Sequence, residues 1–275
     1  MMSNTSSNQN KSETANAVET AASLVRARLS GRALSAYPGV FPQSRMQAYA
    51  VQDSALELWL EAPAGWKVAM VAPAYREAFG EERLSGPVFP TQVLHTGKDG
   101  TPRFEVFEHG FAAVEAEFIA VMAVDAPTFG RLPTPEEAAA LIGSLHIGLE
   151  TAGSPLAMIN DLGPFAVASD FGNNAGVVFG PAIADWRNRP LESLQTQMRV
   201  DGIEVGSGHA GKVPGGPMAA VAFLLHHLEM RGKPLKAGQF ISTGATTGIH
   251  SVKAGSQVQC SFGIDGMIEA AAISR

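Results

Sequence analysis

Residues 114–122 read VEAEFIAVM, and no other stretch limits the fold as much. Its length and its branched and aromatic content suit a buried strand. Residues two apart on a strand share a face, about 7 Å from each other. Glu115 and Glu117 therefore lie side by side, with Val114, Ala116 and Phe118 on the opposite face. Two like charges on such a face repel, and burying them unpaired is costly. Solvent, basic partners or a cation can relieve the cost. The stretch LHIGLETAG (145–153) alternates with period two, which predicts a second strand and places a third carboxylate, Glu150, among apolar neighbours. Three carboxylates completed by water form an all-oxygen site that suits Mg²⁺ or Mn²⁺ better than zinc or copper. A solvated strand face with ordinary surface glutamates fits the same spacing.

Around these strands the chain reads as α+β, because helical and strand-like segments do not alternate regularly. Helices are expected over 15–31, closed by Gly31, and over about 43–61. Thr134, Pro135 and Glu137 have the spacing of a capping box that opens a helix. Residues 217–231 form a further helix, with Pro217 at its start and Gly232 just beyond its end. Residues 256–273 read as two strands joined by a turn at Asp265-Gly266. We divide the chain into a floppy tail (1–14), a mainly helical N-terminal region (15–85) and a strand-rich C-terminal domain (86–275).

Several functions are disfavoured by composition. The net charge of −6 and the lack of a basic run remove the electrostatic footprint of nucleic-acid binding. No apolar run reaches the length of a membrane span. The polar start has no secretory h-region, and Cys260 is the single cysteine, so a cytoplasmic location is expected.

Lys67, in GWKVAM, lies between apolar neighbours that would lower its pKa and fit it for acid or base work. Its stem could equally pack while its ammonium reaches water. The loop STGATTG (242–248) could offer amides and hydroxyls to a substrate carboxylate, or be merely a tight turn. GSGHAG (206–211) matches a dinucleotide fingerprint but lacks the strand–helix setting that gives the fingerprint meaning. His226 and His227 read as packing or surface residues, and Cys260 has no evident histidine partner. His109 and Glu108 are alternative ligands whose spacing from Glu115 does not favour a shared strand face.

Taken together, AYAVQ (48–52), GWKVAM (65–70), VEAEFIAVM (114–122), GLETAGS (148–154), SDFGNNAGVVFG (169–180), residues 215–245 and AGSQVQCSFGIDGMIEA (254–270) resemble the 2-keto-4-pentenoate hydratase and 4-oxalocrotonate decarboxylase family of the fumarylacetoacetate hydrolase superfamily. The resemblance implies an N-terminal helical region followed by a mixed β-roll. It implies Mg²⁺ or Mn²⁺ held by Glu115, Glu117 and Glu150, with Lys67 as general acid or base. It further implies a small 2-oxo acid substrate contacted by Asp170, Asn173, Thr243 and Gly244. The expected reaction is hydration of 2-hydroxypenta-2,4-dienoate or a homologue. Decarboxylation of 4-oxalocrotonate or a related diacid is the alternative, and a non-catalytic ligand-binding or partner subunit is a further one. A homo-oligomer is implied as well, with a pathway enzyme as a candidate partner in a complex. Two departures from the family pattern stand at the substrate end: Phe171 where many relatives have asparagine, and Pro155 where some hydratases have arginine.

Overall fold

The computed structural model describes residues 3–97 and 100–275. The helices are α1 (Ser3–Ser30), α2 (Arg45–Leu58), α3 (Arg76–Phe79), α4 (Pro135–Ala140), α5 (Pro164–Ser169) and α6 (Pro217–Met230). The strands are β1 (Gly65–Met70), β2 (Arg83–Val88), β3 (Val93–His95), β4 (Arg103–Val106), β5 (Phe111–Met122), β6 (Ile142–Ser154) and β7 (Asn174–Ala182). They continue with β8 (Gln195–Val200), β9 (Ile203–His209), β10 (Phe240–Ser242), β11 (His250–Ser251), β12 (Gln257–Ser261) and β13 (Met267–Ser274).

One mixed sheet has the order β2-β1-β10-β5-β6-β7-β3, with β11 added against β5; a second has the order β4-β13-β12-β8-β9. Alternation along the strands gives the large sheet two different faces. Trp66, Val68, Ala116, Phe118, Ile147, Leu149, Val178 and Ile241 point one way and join α6 and the second sheet in the main core. The opposite face carries the glutamates. On that side, α1, α2 and α5 form a second apolar cluster with Leu84 and Phe171. Gln52 of α2 ties this layer to the sheet by donating to Ser85 O and Ala168 O.

Local signals agree with the fold in several places. Thr134 and Glu137 make both bonds of the capping box that opens α4. Residues 206–211 lie on the edge strand β9 and in the 3-10 turn after it, away from any strand-to-helix phosphate loop. His227 is packed against Phe223 and Tyr49, and burial, with Arg231 nearby, pushes its pKa down to about 3. Cys260 is buried and its thiol is pushed up by burial, which suits a packing residue.

Two boundary expectations are corrected. The stretch 1–14, read as a tail, is helical from Ser3, and residues 1 and 2 lie outside the described residues. That stretch contains no glycine or proline to stop a helix from extending toward its N-terminus. The division at residue 85 falls inside β2, whose partner β1 sits between β2 and β10 in the large sheet. Sheet pairing therefore joins the two regions that composition separates.

Candidate metal centre

β5 and β6 are antiparallel neighbours, and their register sets Glu115 opposite Glu150 and Glu117 opposite Gly148. All three glutamates thus share one face. Each offers an oxygen within 4.8 Å of the others', and all three residues are buried. Glu117 and Glu150 are fully inaccessible, which excludes the solvated strand face. Among the described residues this is the one cluster of three such side chains with metal-binding spacing.

The surroundings bind some carboxylate oxygens and leave others without a partner. Ser242 Oγ donates to Glu117 Oε2 at 2.5 Å, and the Gly244 amide donates to the same oxygen at 2.9 Å. Asn174 Nδ2 donates to Glu150 Oε1 at 3.0 Å. Glu117 Oε1 and Glu150 Oε2 are buried with no partner in the protein. Two such oxygens in a cluster of three carboxylates are what a bound divalent cation satisfies, and the all-oxygen donor set fits Mg²⁺ or Mn²⁺.

The pKa displacements carry the same message. Burial, then the Glu150 charge, pushes the Glu115 carboxyl up to about 7, against a smaller lowering by Lys67. Burial, followed by Glu150 and Glu115, pushes Glu117 well above the usual carboxylate range. Without a cation the site therefore resists full ionisation.

Lys67 reaches this face from β1. Its Nζ lies 3.2 Å from Glu150 Oε1 and donates to Gly172 O at 3.0 Å and Asn173 Oδ1 at 3.3 Å. The lowered pKa expected from its apolar sequence neighbours is overturned. Burial does disfavour the ammonium, but Glu150, Glu115 and Glu117 together reverse it and leave Lys67 raised. Trp66 and Val68 point into the core on the other face, so the residues beside Lys67 in sequence are not its surroundings in space.

Lys67, Glu115 and Asn173 open into a pocket of about 440 Å³ between β1, α5 and the loop after β10. Tyr75 and Asn160 supply further polar groups, and Asn160 Oδ1 accepts from Asn173 Nδ2 at 3.0 Å. The rest of the lining is largely apolar and includes Met70, Val71, Leu84, Val167, Ala245 and Ile249.

Asn173 is thus at the pocket, whereas three other residues expected to meet substrate are engaged elsewhere. Asp170 is 1% exposed and turns away from the pocket: Oδ1 accepts from Arg28 Nε at 2.5 Å, and Oδ2 from Ser154 Oγ at 2.5 Å. Thr243 Oγ1 donates to Phe118 O, which fastens the loop to β5. The Gly244 amide does meet a carboxylate, but it is that of Glu117. Phe171 packs edge-on against Trp59 and Phe89, so this departure from the family pattern serves the helical layer. His250 reaches Thr247 on the loop before β11.

No family model matches the chain. It is 26% identical over 258 residues to a 2-keto-4-pentenoate hydratase of Paraburkholderia xenovorans (strain LB400), covering 88% of this chain and 89% of that protein. A 2-keto-4-pentenoate hydratase 3 of Pseudomonas putida is similar to the same extent. Among solved structures, 4-oxalocrotonate decarboxylase from Pseudomonas putida G7, in complex with magnesium and adipate, matches with a TM-score of 0.78 at 21% identity. The match covers 94% of this chain and 97% of that one. A fumarylpyruvate hydrolase from Pseudomonas aeruginosa, in complex with Mn²⁺ and pyruvate, matches with a TM-score of 0.54 at 15% identity, over 76% of this chain and 89% of that one. These likenesses bear out the resemblance of the sequence to the hydratase and decarboxylase family, and with it the expected fold.

Proposed function

We propose that the chain is a divalent-metal-dependent lyase that adds water to 2-hydroxypenta-2,4-dienoate or a homologue, giving a 4-hydroxy-2-oxo acid. The observation that carries this reading is the buried set Glu115, Glu117 and Glu150, with Lys67 beside it at the head of a largely apolar pocket. The hydratase relatives, which match over most of the chain, support it.

In this reading the three glutamates hold Mg²⁺ or Mn²⁺. When bound, the cation supplies Lewis-acid stabilisation of negative charge at the carboxylate and 2-oxo end of the substrate. The protein does the rest. Gly172 O and Asn173 Oδ1 fix the Lys67 ammonium at the pocket. From there Nζ can deliver a proton to the far carbon of the diene as the enol hydroxyl gives up its own, which converts the dienol to the conjugated enone with no net change in protons. Water then adds to the alkene carbon β to the polarised ketone. Ser242 and the Gly244 amide hold Glu117 in place.

The pocket wall bears on substrate choice. Lys67 is the sole cationic residue among those lining it, and Met70, Val71, Leu84, Val167, Ala245 and Ile249 leave no countercharge for a second carboxylate. A monoanionic dienoate with a short apolar tail suits this wall better than a diacid. Decarboxylation of 4-oxalocrotonate is the second reading, supported by the fold shared with the decarboxylase. The same electron sink would accept the carbanion left by CO₂.

The test supplies the purified protein with Mg²⁺ or Mn²⁺ and each substrate in turn. Loss of the dienol ultraviolet band without CO₂ release is expected. CO₂ release from the diacid would replace this reading with the second. Neither reaction, with no metal binding, would make the protein a non-catalytic ligand-binding or partner subunit.

A further inference from the structure

Arg28, near the end of α1, is 1% exposed, and it does not line the pocket. It lies on the buried stripe of the helix that also contains Ala17, Ala21, Leu24 and Val25. Four hydrogen bonds satisfy its guanidinium: to Asp170 Oδ1, to Asp170 O at 2.9 Å, to Asn174 O at 2.8 Å and to Gly153 O at 3.1 Å. Its planar head also stands 5.3 Å from the centre of the Phe171 ring. Arg28 thus grips both ends of the turn 170–174 through main-chain carbonyls.

That turn holds one bulky residue in a costly conformation. Phe171, Gly172 and Asn173 have φ of 53°, 66° and 53°. Gly172 adopts the left-handed region freely and Asn173 tolerates it, but Phe171 is a bulky side chain there, so the turn persists only where its surroundings hold it. β2 holds it from the other side: a Cβ at Gly86 would stand 1.9 Å from Phe171 O. Between these two restraints, the turn delivers three groups to the centre. Gly172 O and Asn173 Oδ1 meet Lys67 Nζ, and Asn174 Nδ2 meets Glu150 Oε1.

We infer that Arg28 is a positioning residue of the metal centre: by clamping the left-handed turn 170–174, it sets the places of Lys67 and Glu150 without touching cation or substrate. The inference rests on the proposed function only for its kinetic readout. Arginine is required for the fork, because lysine keeps the charge but cannot reach four acceptors in one plane.

The test compares Arg28→Lys with Ser154→Ala in the full chain. Ser154 bonds the other oxygen of Asp170, so its loss weakens the same buried network while leaving both turn carbonyls held. For folded Arg28→Lys we expect Mn²⁺ affinity to fall about 10–100-fold, as for other groups that orient metal ligands. kcat should fall by at least about tenfold, with KM within about twofold. Ser154→Ala should lower the melting temperature but keep wild-type Mn²⁺ affinity and kcat. If Arg28→Lys does not fold, the pair Arg28→Met/Asp170→Asn removes both charges, leaves no unpaired buried ion, and is read on the same scale. Wild-type Mn²⁺ affinity in the Arg28 variant would overturn the inference. So would an equal loss of affinity in Ser154→Ala. If the wild type acts on neither substrate yet Arg28→Lys weakens Mn²⁺ binding, the proposed function fails and the positioning role stands.

Discussion

Replacing Glu115 by glutamine should make the metal-free protein more stable. In the folded state the Glu115 carboxyl is pushed from its ordinary 4.5 up to about 7 by burial and by Glu150. Between those two values the folded protein holds a proton that the unfolded chain gives up. Metal-free stability therefore falls as pH rises through this window, and the whole cost is present above about pH 7. At about 1.4 kcal/mol per pH unit, the displacement amounts to about 3 kcal/mol. Glutamine keeps the shape and removes the charge, so Glu115→Gln should recover most of that. For a chain of this size the gain corresponds to about 6–12 °C in melting temperature. The assay is chemical and thermal denaturation of both proteins in chelator. A difference is expected near pH 8 that closes as pH falls below about 4.5, where Glu115 is protonated in both states. Added Mn²⁺ should then stabilise the wild type and leave the variant unmoved. Equal or lower stability of Glu115→Gln near pH 8 in chelator would refute the reasoning, because it would mean that Lys67 already neutralises the cluster.

The remaining predictions concern metal binding and turnover. Metal binding must displace the protons that burial keeps on Glu115 and Glu117, so Mn²⁺ affinity measured by calorimetry should rise by about tenfold or more per pH unit from about pH 5 to about pH 7. Proton release measured in two buffers should match that slope, at about one proton or more per Mn²⁺ over the same range. Lys67→Met should keep Mn²⁺ binding and lose about 10²–10⁴ in kcat, the usual worth of a positioned acid or base; unchanged turnover would remove Lys67 from the chemistry.

What the sequence disclosed depended on how far apart the interacting residues lie. The glutamates were legible because strand periodicity is local: spacing alone puts Glu115 and Glu117 on one face, and the strict alternation around Glu150 marks a second strand. Their register across β5 and β6 is a long-range fact, and so is the burial that excludes a solvated face. Lys67 was singled out for the wrong electrostatics. Trp66 and Val68 are its neighbours in sequence, but they face the core, while three carboxylates from β5 and β6 set its charge. The resemblance gives Asp170 to the substrate, whereas its observed partner, Arg28, comes from a helix 142 residues earlier. One local sign of that partnership was present: Arg28 continues the apolar stripe of α1, where a charge needs a buried counterpart.

The order of the large sheet also bears on how the protein is made. β1 lies between β2, which follows it closely, and β10, which begins at Phe240. While the ribosome is still adding α6, Lys67 belongs to a hairpin with one free edge, and the parallel partner of that edge does not yet exist. Glu117 likewise waits for Ser242 and Gly244. The acidic cluster of β5 and β6 can form earlier, but these two supports of Glu117 arrive only with residues 242 and 244. A nascent chain stalled before residue 240 would carry the carboxylates without the two groups that orient Glu117, and with β1 exposed to pairing with another chain.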